Sequence, residues 1–225
     1  MKSIGIDNVY KMGNKLYTRN LCKGVRVYGE SLKRIDGEEY RAWNPYRSKL
    51  AAAILKGLKP EVLTKDARVL YLGAATGTTV SHISDIVVDG MIYAVESSPF
   101  AMKAFLGVVE RRMNIIPLLM DANHPERYQT VVPRVDFLYQ DVSQRNQDDI
   151  FMRNAMMYLK SDGMGLLMVK TRSIDVALPP EEIIEKVKEK LRGDGFNVLQ
   201  IKQLTPYDRD HAAILVKRGL DEEVS

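Results

Sequence analysis

The chain has 225 residues, of which 45% are hydrophobic and 28% are charged, a balance that is ordinary for a folded protein and excludes a disordered one. No apolar run approaches the roughly 18 residues that a membrane-spanning helix needs, and the N-terminus lacks a hydrophobic signal core, so we expect neither membrane insertion nor export. The single cysteine, Cys22, excludes an internal disulfide and a cysteine-rich zinc site and favours a reducing, cytoplasmic compartment.

Positive charge is concentrated at the front of the chain. Residues 1–56 hold 12 Lys or Arg against 5 Asp or Glu, whereas residues 57–225 hold 21 against 24, within a net charge of +4. A basic surface suits a phosphate backbone, because each neutralised phosphate releases condensed counterions. A solvated surface without a partner explains the charge equally well.

The first 40 residues predict short antiparallel strands. Apolar and polar residues alternate over residues 15–18 and 24–29, and glycines and the Asp36-Gly37 pair punctuate them. Such a unit is too small to be securely stable alone. We therefore predict a small β-rich N-terminal domain with a linking helix over residues 1–56, packed on a larger domain over residues 57–225.

The linking helix is predicted to begin at Asn44-Pro45. Asn can cap free N–H groups, and Pro suits the first helical position. Lys49 lies at the flank of the apolar stripe that follows at helical spacing, which consists of Leu50, Ala53, Ile54, Gly57 and Leu58.

From residue 68 onward, short apolar runs alternate with amphipathic stretches. The runs predict strands at residues 69–72, 91–95, 115–120, 135–139 and 165–169, followed by two last strands at 197–204 and 212–216. The stretches predict helices that begin near residues 78 and 99 and that cover 147–159 and 180–191. This order predicts a mostly parallel sheet with helices on both faces, into which the final hairpin sets one antiparallel strand.

Small and acidic residues follow the predicted strands, where ligands bind in open α/β sheets. The first strand leads into a glycine turn that begins with Gly73 and Ala74, whose small size lets a ligand approach the backbone. Glu96 follows the second strand, Asp121 the third and Asp141 the fourth. An acid after the second strand can accept hydrogen bonds from both ribose hydroxyls of an adenosine.

The spacing of the glycines and the charge of the acids distinguish between two cofactors, a nicotinamide dinucleotide and S-adenosylmethionine. The turn lacks the GxGxxG spacing of dinucleotide sites, which disfavours nicotinamide binding. Carboxylates around a cleft suit a ligand that carries a sulfonium and an ammonium group, so the sequence favours S-adenosylmethionine. Taken singly, these features also fit a simple turn and ordinary helix caps; their succession at four strand ends favours a site.

Lys170 ends the fifth predicted strand, and we expect it to share the cleft with Asp141. Desolvation lowers a lysine pKa and makes the amine a usable base, while a nearby carboxylate raises that pKa again and holds the amine in place. Without further context, a surface Lys170 and a structural His211 are the simpler interpretations.

For other candidate residues, a structural role is the favoured interpretation. Trp43 and Tyr46 could stack on RNA bases, but beside a helix start packing is favoured. His82 is interpreted as a polar or capping residue on the helix after the glycine turn. No histidines and carboxylates show helical metal-ligand spacing, so we expect no metal site.

Four stretches resemble the fibrillarin family: residues 40–52 (YRAWNPYRSKLAA), 71–82 (YLGAATGTTVSH), 141–144 (DVSQ) and 210–212 (DHA). The resemblance runs in consistent order from about residue 7 to 218. The chain lacks the Gly/Arg-rich extension of eukaryotic members and so resembles the short archaeal form. It departs from the family at Ser143, where many members have Ala, and at Ser97, where an aromatic residue is common.

The resemblance implies a Rossmann-like class I S-adenosylmethionine-dependent methyltransferase fold, with a seven-stranded, mostly parallel sheet and a C-terminal antiparallel hairpin strand. It implies 2′-O-methylation of ribose in pre-rRNA and tRNA within a box C/D ribonucleoprotein. The implied partners are a guide RNA, the substrate RNA, a Nop-family scaffold protein and a kink-turn-binding protein. S-adenosylmethionine would become S-adenosylhomocysteine, and no metal is needed because the leaving group is a neutral thioether.

Residue by residue, the resemblance places a Lys-Asp-Lys-His catalytic set on Lys49, Asp141, Lys170 and His211. The cofactor contacts that it implies are Thr78, Thr79, Glu96, Ser97, Asp121, Ala122, Asp141, Val142, Ser143 and Gln144. We expect Lys170 to accept the proton of the 2′-hydroxyl or to stabilise its oxyanion, with Asp141 orienting Lys170. Lys49 and His211 would position the ribose.

Two other classes of function stay open. A non-catalytic RNA-binding or scaffold module could use the same fold, although the acids at the strand ends and Lys170 argue against it. A small-molecule methyltransferase is disfavoured by the basic front and by the missing metal ligands.

Overall fold

The computed structural model describes residues 1–219 and contains two β-sheets. The N-terminal sheet consists of β1 (Lys2–Ser3), β2 (Val9–Met12), β3 (Lys15–Arg19), β4 (Leu32–Ile35) and β5 (Glu38–Trp43). Its strands are antiparallel and lie in the order β1-β2-β3-β5-β4. The predicted β-rich region at the N-terminus is therefore confirmed.

Residues 24–29 form a loop, and the strand predicted there is wrong. The buried carboxylate of Glu30 accepts the backbone N–H groups of Val27 (3.0 Å) and Tyr28 (2.8 Å). Those donors are consequently not available to a neighbouring strand, although the alternation of side chains is that of a strand.

The linking helix, α1 (Lys49–Leu55), begins later than Asn44-Pro45. The side-chain oxygen of Asn44 accepts the N–H of Tyr46 (2.9 Å) and makes a turn instead of a helix cap. Ser48 is the actual cap, since its hydroxyl accepts the N–H of Ala51 (3.4 Å). Lys49 is therefore the first residue of the helix.

The larger sheet has seven strands. They are β6 (Arg68–Leu72), β7 (Met91–Glu96), β8 (Ile115–Leu119), β9 (Val135–Gln140), β10 (Leu159–Lys170), β11 (Phe196–Gln203) and β12 (His211–Arg218). They lie in the order β11-β12-β10-β9-β6-β7-β8, in which β12 alone among the described strands runs in the direction opposite to the other six. The mostly parallel sheet with one antiparallel strand is confirmed.

Within residues 1–219, five further α-helices cover this sheet: α2 (Thr78–Ile86), α3 (Pro99–Val109), α4 (Gln147–Tyr158), α5 (Thr171–Ile174) and α6 (Pro180–Gly193). Alternate residues of β6 enter two core clusters, with Val69 on the side of α1, α2 and α3, and Leu70 on the side of α4 and α6. Helices thus pack on both faces. Among the described residues, no helix is long and apolar enough to cross a membrane.

The N-terminal sheet shares the first core cluster with the larger sheet, through Val9, Leu16 and Trp43. The two regions are therefore packed together, and the division of the chain at residue 56 stays a prediction. Residues 220–225, which we assigned to the second domain, lie outside the described residues.

A buried ionic network also joins the two regions. The guanidinium of Arg41, on β5, donates to Glu30 (2.7 Å) and to Asp85 on α2 (2.8 Å). Arg112 donates to the other oxygen of Asp85 (2.7 Å). All four side chains are at most 1% exposed.

Candidate active site

The loops after β6 and β9 meet where the strand order reverses, which is where ligands bind in open α/β sheets. The backbone N–H of Asp141 donates to the carbonyl of Leu72 (2.9 Å). Gly73 has a φ of +86°, and a Cβ at this position would lie 2.4 Å from the carbonyl oxygen of Asp141. A side chain at Gly73 would therefore force the two loops apart.

The glycine turn and the end of β7 form a polar cradle. Glu96, which is 9% exposed, accepts the backbone N–H groups of Ala75 (2.7 Å) and Ser98 (2.8 Å). A carboxylate has about four acceptor sites, so this one can accept two more donors. Helix α2 begins after Gly77 without a side-chain cap, which leaves its first N–H groups available to a ligand.

The loops after β8 and β9 are tied together on the other side of this cradle. Asp121 accepts the backbone N–H and the side-chain amide of Asn123 (2.9 and 3.0 Å), and these bonds hold the pKa of Asp121 below its usual range. The same amide donates to Gln144 (2.7 Å). Ala122 is buried and its carbonyl accepts the side chain of Asn154 (2.9 Å).

The remaining predicted cofactor residues differ in exposure. Ser97 and Ser143 are exposed, and Val142 and Thr78 are half-buried. The hydroxyl of Thr79 is buried and donates to Ser48 (3.0 Å), so it joins α2 to α1.

Asp141 pairs with Lys49 at this edge of the sheet. The Nζ of Lys49 lies 2.8 Å from Oδ2 of Asp141, and the two side chains are 25% and 17% exposed. The sequence interpretation had Asp141 orient Lys170, whereas in the structure the carboxylate holds the lysine at the start of α1.

His211 and Lys170 lie opposite each other on β12 and β10, so their side chains share one face of the sheet. Burial, and next the charge of Lys49, lowers the pKa of His211, although Asp208 acts in the opposite direction. The ring is therefore neutral at pH 7. Its Nδ1 donates to Asp208 (2.8 Å), which leaves Nε2 as a proton acceptor.

The structure thus brings the four predicted catalytic residues to one edge of the sheet. Sequence reasoning missed Ser48 and Asp208, which hold Lys49 and His211 in place. Serine directly before an apolar helical stripe is a capping signal, and Asp208 lies three residues before His211 in a polar loop. Among residues 1–219, no group of three or more His, Cys, Asp or Glu could hold a metal ion.

The strand order, the antiparallel β12 and the glycine turn facing acids at the strand ends define a class I methyltransferase fold. Solved structures with little sequence similarity share it, such as the O-methyltransferase TomG from Streptomyces achromogenes (11% identity, TM-score 0.60, 77% of this chain and 81% of that one). A family model described as Fibrillarin matches residues 2–219, and the chain belongs to the fibrillarin family.

Relatives agree over nearly the whole chain. The fibrillarin-like rRNA/tRNA 2′-O-methyltransferase of Methanothermobacter thermautotrophicus is 50% identical, over 96% of each chain. The Methanococcus jannaschii fibrillarin, a pre-rRNA processing protein, superposes with a TM-score of 0.93 at 42% identity over 97% of each chain.

Two other solved fibrillarin structures contain a bound cofactor or a partner protein. The one from Aeropyrum pernix contains natively bound S-adenosyl-L-methionine (45% identity, TM-score 0.87, 96% of each chain). A second is in a fibrillarin/Nop5p complex (46% identity, TM-score 0.88, 97% of this chain and 100% of that one).

Proposed function

We propose that this chain is an S-adenosylmethionine-dependent ribose 2′-O-methyltransferase that acts on rRNA and tRNA within a box C/D ribonucleoprotein. The observation that carries the proposal is the Lys49–Asp141 ion pair, which lies beside the cradle of Gly73 and on the edge that also holds Lys170 and His211. Relatives are named as rRNA/tRNA 2′-O-methyltransferases, which agrees with this reaction and with these RNA substrates.

The residues around the cradle fit S-adenosylmethionine. Glu96 has free acceptor sites for ribose hydroxyls, and the ionised Asp121 suits a ligand with positive groups. When bound, the cofactor supplies an electrophilic methyl group. The residues that we propose to hold it are Gly73, Ala74, Thr78, Thr79, Glu96, Ser97, Asp121, Ala122, Asp141, Val142, Ser143 and Gln144.

A ribose 2′-hydroxyl is a poor nucleophile at neutral pH, so the site must help remove its proton or stabilise its oxyanion. Lys170 is the amine proposed for this step, since its Nζ has no ion-pair partner among the described residues. Lys49, held by Asp141, and His211, held by Asp208, would position the ribose. Correct orientation can contribute roughly 7–11 kcal/mol to such a reaction.

The proposed partners supply what this chain lacks. It has a basic front but no separate base-reading motif, so we assign site selection to a box C/D guide RNA paired with the substrate RNA. A related fibrillarin forms a complex with Nop5p, which supports a Nop-family scaffold protein as the docking partner. A kink-turn-binding protein completes the proposed particle. The relatives come from archaea, so we place the activity in the cytoplasm.

Reconstitution tests the function directly. The chain is combined with guide RNA, the two partner proteins, substrate RNA and a labelled methyl donor, and the product nucleotide is mapped. We expect one methylated ribose at the guided position and none when that ribose is a 2′-deoxyribose. Lys170→Ala should abolish transfer and keep calorimetric S-adenosylmethionine binding nearly intact; near-normal turnover would remove Lys170 from the mechanism.

Two outcomes would replace the proposal. Absence of S-adenosylmethionine binding to the wild-type chain would indicate a non-catalytic RNA-binding or scaffold module. Methylation of free small phenols, with none of guided RNA, would indicate a small-molecule methyltransferase.

A further inference from the structure

A buried glutamine side chain, that of Gln147, joins the ends of β9 and β10. Gln147 is the first residue of α4 and has no exposed surface. Its Nε2 donates to the carbonyls of Lys170 (3.1 Å) and Gln144 (3.2 Å), and its Oε1 accepts the backbone N–H of Lys170 (2.8 Å). These partners fix the orientation of the amide, because a flipped amide would place its oxygen against two carbonyl oxygens.

The backbone of Lys170 depends on these hydrogen bonds, because no described strand lies beside it on that side. The pairing of β9 with β10 ends at Leu167, so the last three residues of β10 extend beyond β9. On the other side β10 continues along β12, and the N–H of Thr171 donates to the carbonyl of Asp210 (3.1 Å). The side chain of Gln147 therefore supplies the hydrogen bonds that a longer β9 would make.

The early end of β9 allows the chain to turn towards β6. Asp141 follows β9, its N–H donates to the carbonyl of Leu72 (2.9 Å), and its carboxylate reaches Lys49 (2.8 Å). The chain thus follows β6, and not β10, after β9 ends. Without Gln147, the same turn would leave the N–H and the carbonyl of Lys170 without these partners.

Gln147 is itself held in place. The side chain of Gln140, the last residue of β9, is buried and donates from Nε2 to the backbone carbonyl of Gln147 (2.5 Å). Farther along α4, Ile150 and Phe151 pack in the second core cluster. The amide of Gln147 is therefore fixed before any ligand binds.

The side chain of Lys170 has no comparable support of its own. Its Nζ makes no ion pair or hydrogen bond with the described residues, whereas that of Lys49 is held by Asp141. The position of the Lys170 amine therefore depends on its backbone. A displacement of about 1 Å at a reacting group can lower a rate by roughly 10²-fold.

We propose that Gln147 is a positioning residue for the methyl transfer. Its amide holds Lys170 at the end of β10 and, through Gln144, in a fixed relation to the cofactor. Because it is fully buried, Gln147 contacts neither substrate nor cofactor and acts through these two residues. The proposal rests on the proposed function, since Lys170 is the amine proposed to act on the 2′-hydroxyl.

The test is Gln147→Met in the complete reconstituted complex. Methionine has a similar length and fills the same space without making the three hydrogen bonds. The single-turnover rate of methylation should fall roughly 10²-fold at saturating substrate and cofactor, with the KM for guided RNA unchanged. The affinity for S-adenosylmethionine should fall by less than about tenfold, because one loop carbonyl loses one donor.

Asn114→Leu is the matched control. Asn114 is also a buried amide with three hydrogen bonds, which join it to the carbonyls of Ser84 (2.9 Å) and Val87 (3.0 Å) and to the hydroxyl of Ser84 (2.6 Å). It directly precedes β8, at the end of the sheet opposite the cleft. Asn114→Leu should lower the melting temperature as Gln147→Met does and keep the wild-type methylation rate.

Hydrogen exchange measured by NMR on the whole chain tests the geometry without any activity. The N–H of Lys170 should exchange slowly in the wild type, although no described strand accepts it. In Gln147→Met it should exchange about tenfold faster, whereas the N–H of Thr171, which donates to Asp210, should not change. If Gln147→Met does not fold, Gln147→Glu replaces it, since its carboxylate has no proton to donate to the two carbonyls.

Each outcome supports or overturns the proposal. A wild-type methylation rate in Gln147→Met would overturn it, and so would an equal loss of rate in Asn114→Leu. Fast exchange of the Lys170 N–H in the wild type would also overturn it. If the wild type binds S-adenosylmethionine but methylates no guided RNA, the proposed function fails, and hydrogen exchange still decides whether Gln147 holds Lys170.

Discussion

The molecule contains two clusters of charged side chains that are built from similar groups and differ in solvent access. In the buried network, Arg41, Asp85 and Arg112 are at most 1% exposed. In the cleft, Lys49 and Asp141 are 25% and 17% exposed. A closed network can only stabilise an arrangement, whereas a partly open pair can also contact a ligand. The first therefore belongs to the architecture, and the second is the pair that we propose to take part in the chemistry.

The largest expected effect separates the two clusters by activity. Asp141→Asn should lower the methyl-transfer rate by roughly 10²–10⁴-fold, because it removes the carboxylate that holds Lys49 at the site. Its melting temperature should change little, since the pair is partly solvated. Single-turnover methylation and thermal unfolding measure the two effects.

Asp136→Asn is the matched control. Asp136 lies at the opposite end of β9 and also pairs with a lysine, Lys160 (2.5 Å). The variant should keep the wild-type rate. A wild-type methylation rate in both Asp141→Asn and Asp136→Asn would show that the Lys49–Asp141 pair has no chemical role.

The next effect is on stability. Arg41→Met should lower the free energy of unfolding by about 3–5 kcal/mol, because Glu30 and Asp85 lose a buried partner. Urea or guanidinium unfolding measures the loss. The control is Arg19→Met on β3, whose partner Glu38 is accessible to solvent, and it should change stability little. A stable Arg41→Met protein would contradict an architectural role for the network.

The smallest effect compares two histidines, His82 beside Asp85 of the buried network and His211 near Lys49 of the cleft. Burial lowers the pKa of His82 well below 6.5, and that of His211 is lowered as well. Below pH 6.5 the unfolded chain therefore binds more protons than the folded one. The free energy of unfolding should fall as the pH falls, by up to about 1.4 kcal/mol per pH unit for each such histidine.

Unfolding curves between pH 7 and 5.5 measure this slope, in a range where Glu30, whose pKa is lowered, stays ionised. His82→Gln should flatten the slope more than His211→Gln does. If His211→Gln flattens the slope more than His82→Gln does, the pKa of His211 is lowered further than that of His82, and this prediction is contradicted.

Much of the fold follows from local patterns. The apolar runs predicted the bounds of six of the strands β6 to β12 within two residues, but missed the first six residues of β10. Pro99 and Pro180 marked the starts of α3 and α6 correctly. Where the sequence misled, a polar side chain took a different backbone partner. Asn44 made a turn, and Glu30 captured the N–H groups of a segment that alternates like a strand.

The sequence placed the proposed site residues at one edge of the sheet but did not predict their pairings. The acids at the strand ends and the motifs shared with fibrillarin pointed to Lys49, Asp141, Lys170 and His211. Asp141 pairs with a lysine 92 positions away in the chain, and His82 joins Thr18 on β3 and Trp43 on β5 to α2. No periodicity reports such partners, so the sequence did not predict the pairing of Asp141 with Lys49.

The sequence by itself determined the order of strands and helices, the glycine at a turn that tolerates no side chain, and the family to which these motifs belong. These features depend on residues close together in the chain. Only the tertiary structure decided which lysine the carboxylate of Asp141 holds and how the N-terminal sheet is joined to α2. Those contacts depend on which distant segments become neighbours, and packing of the whole chain selects them.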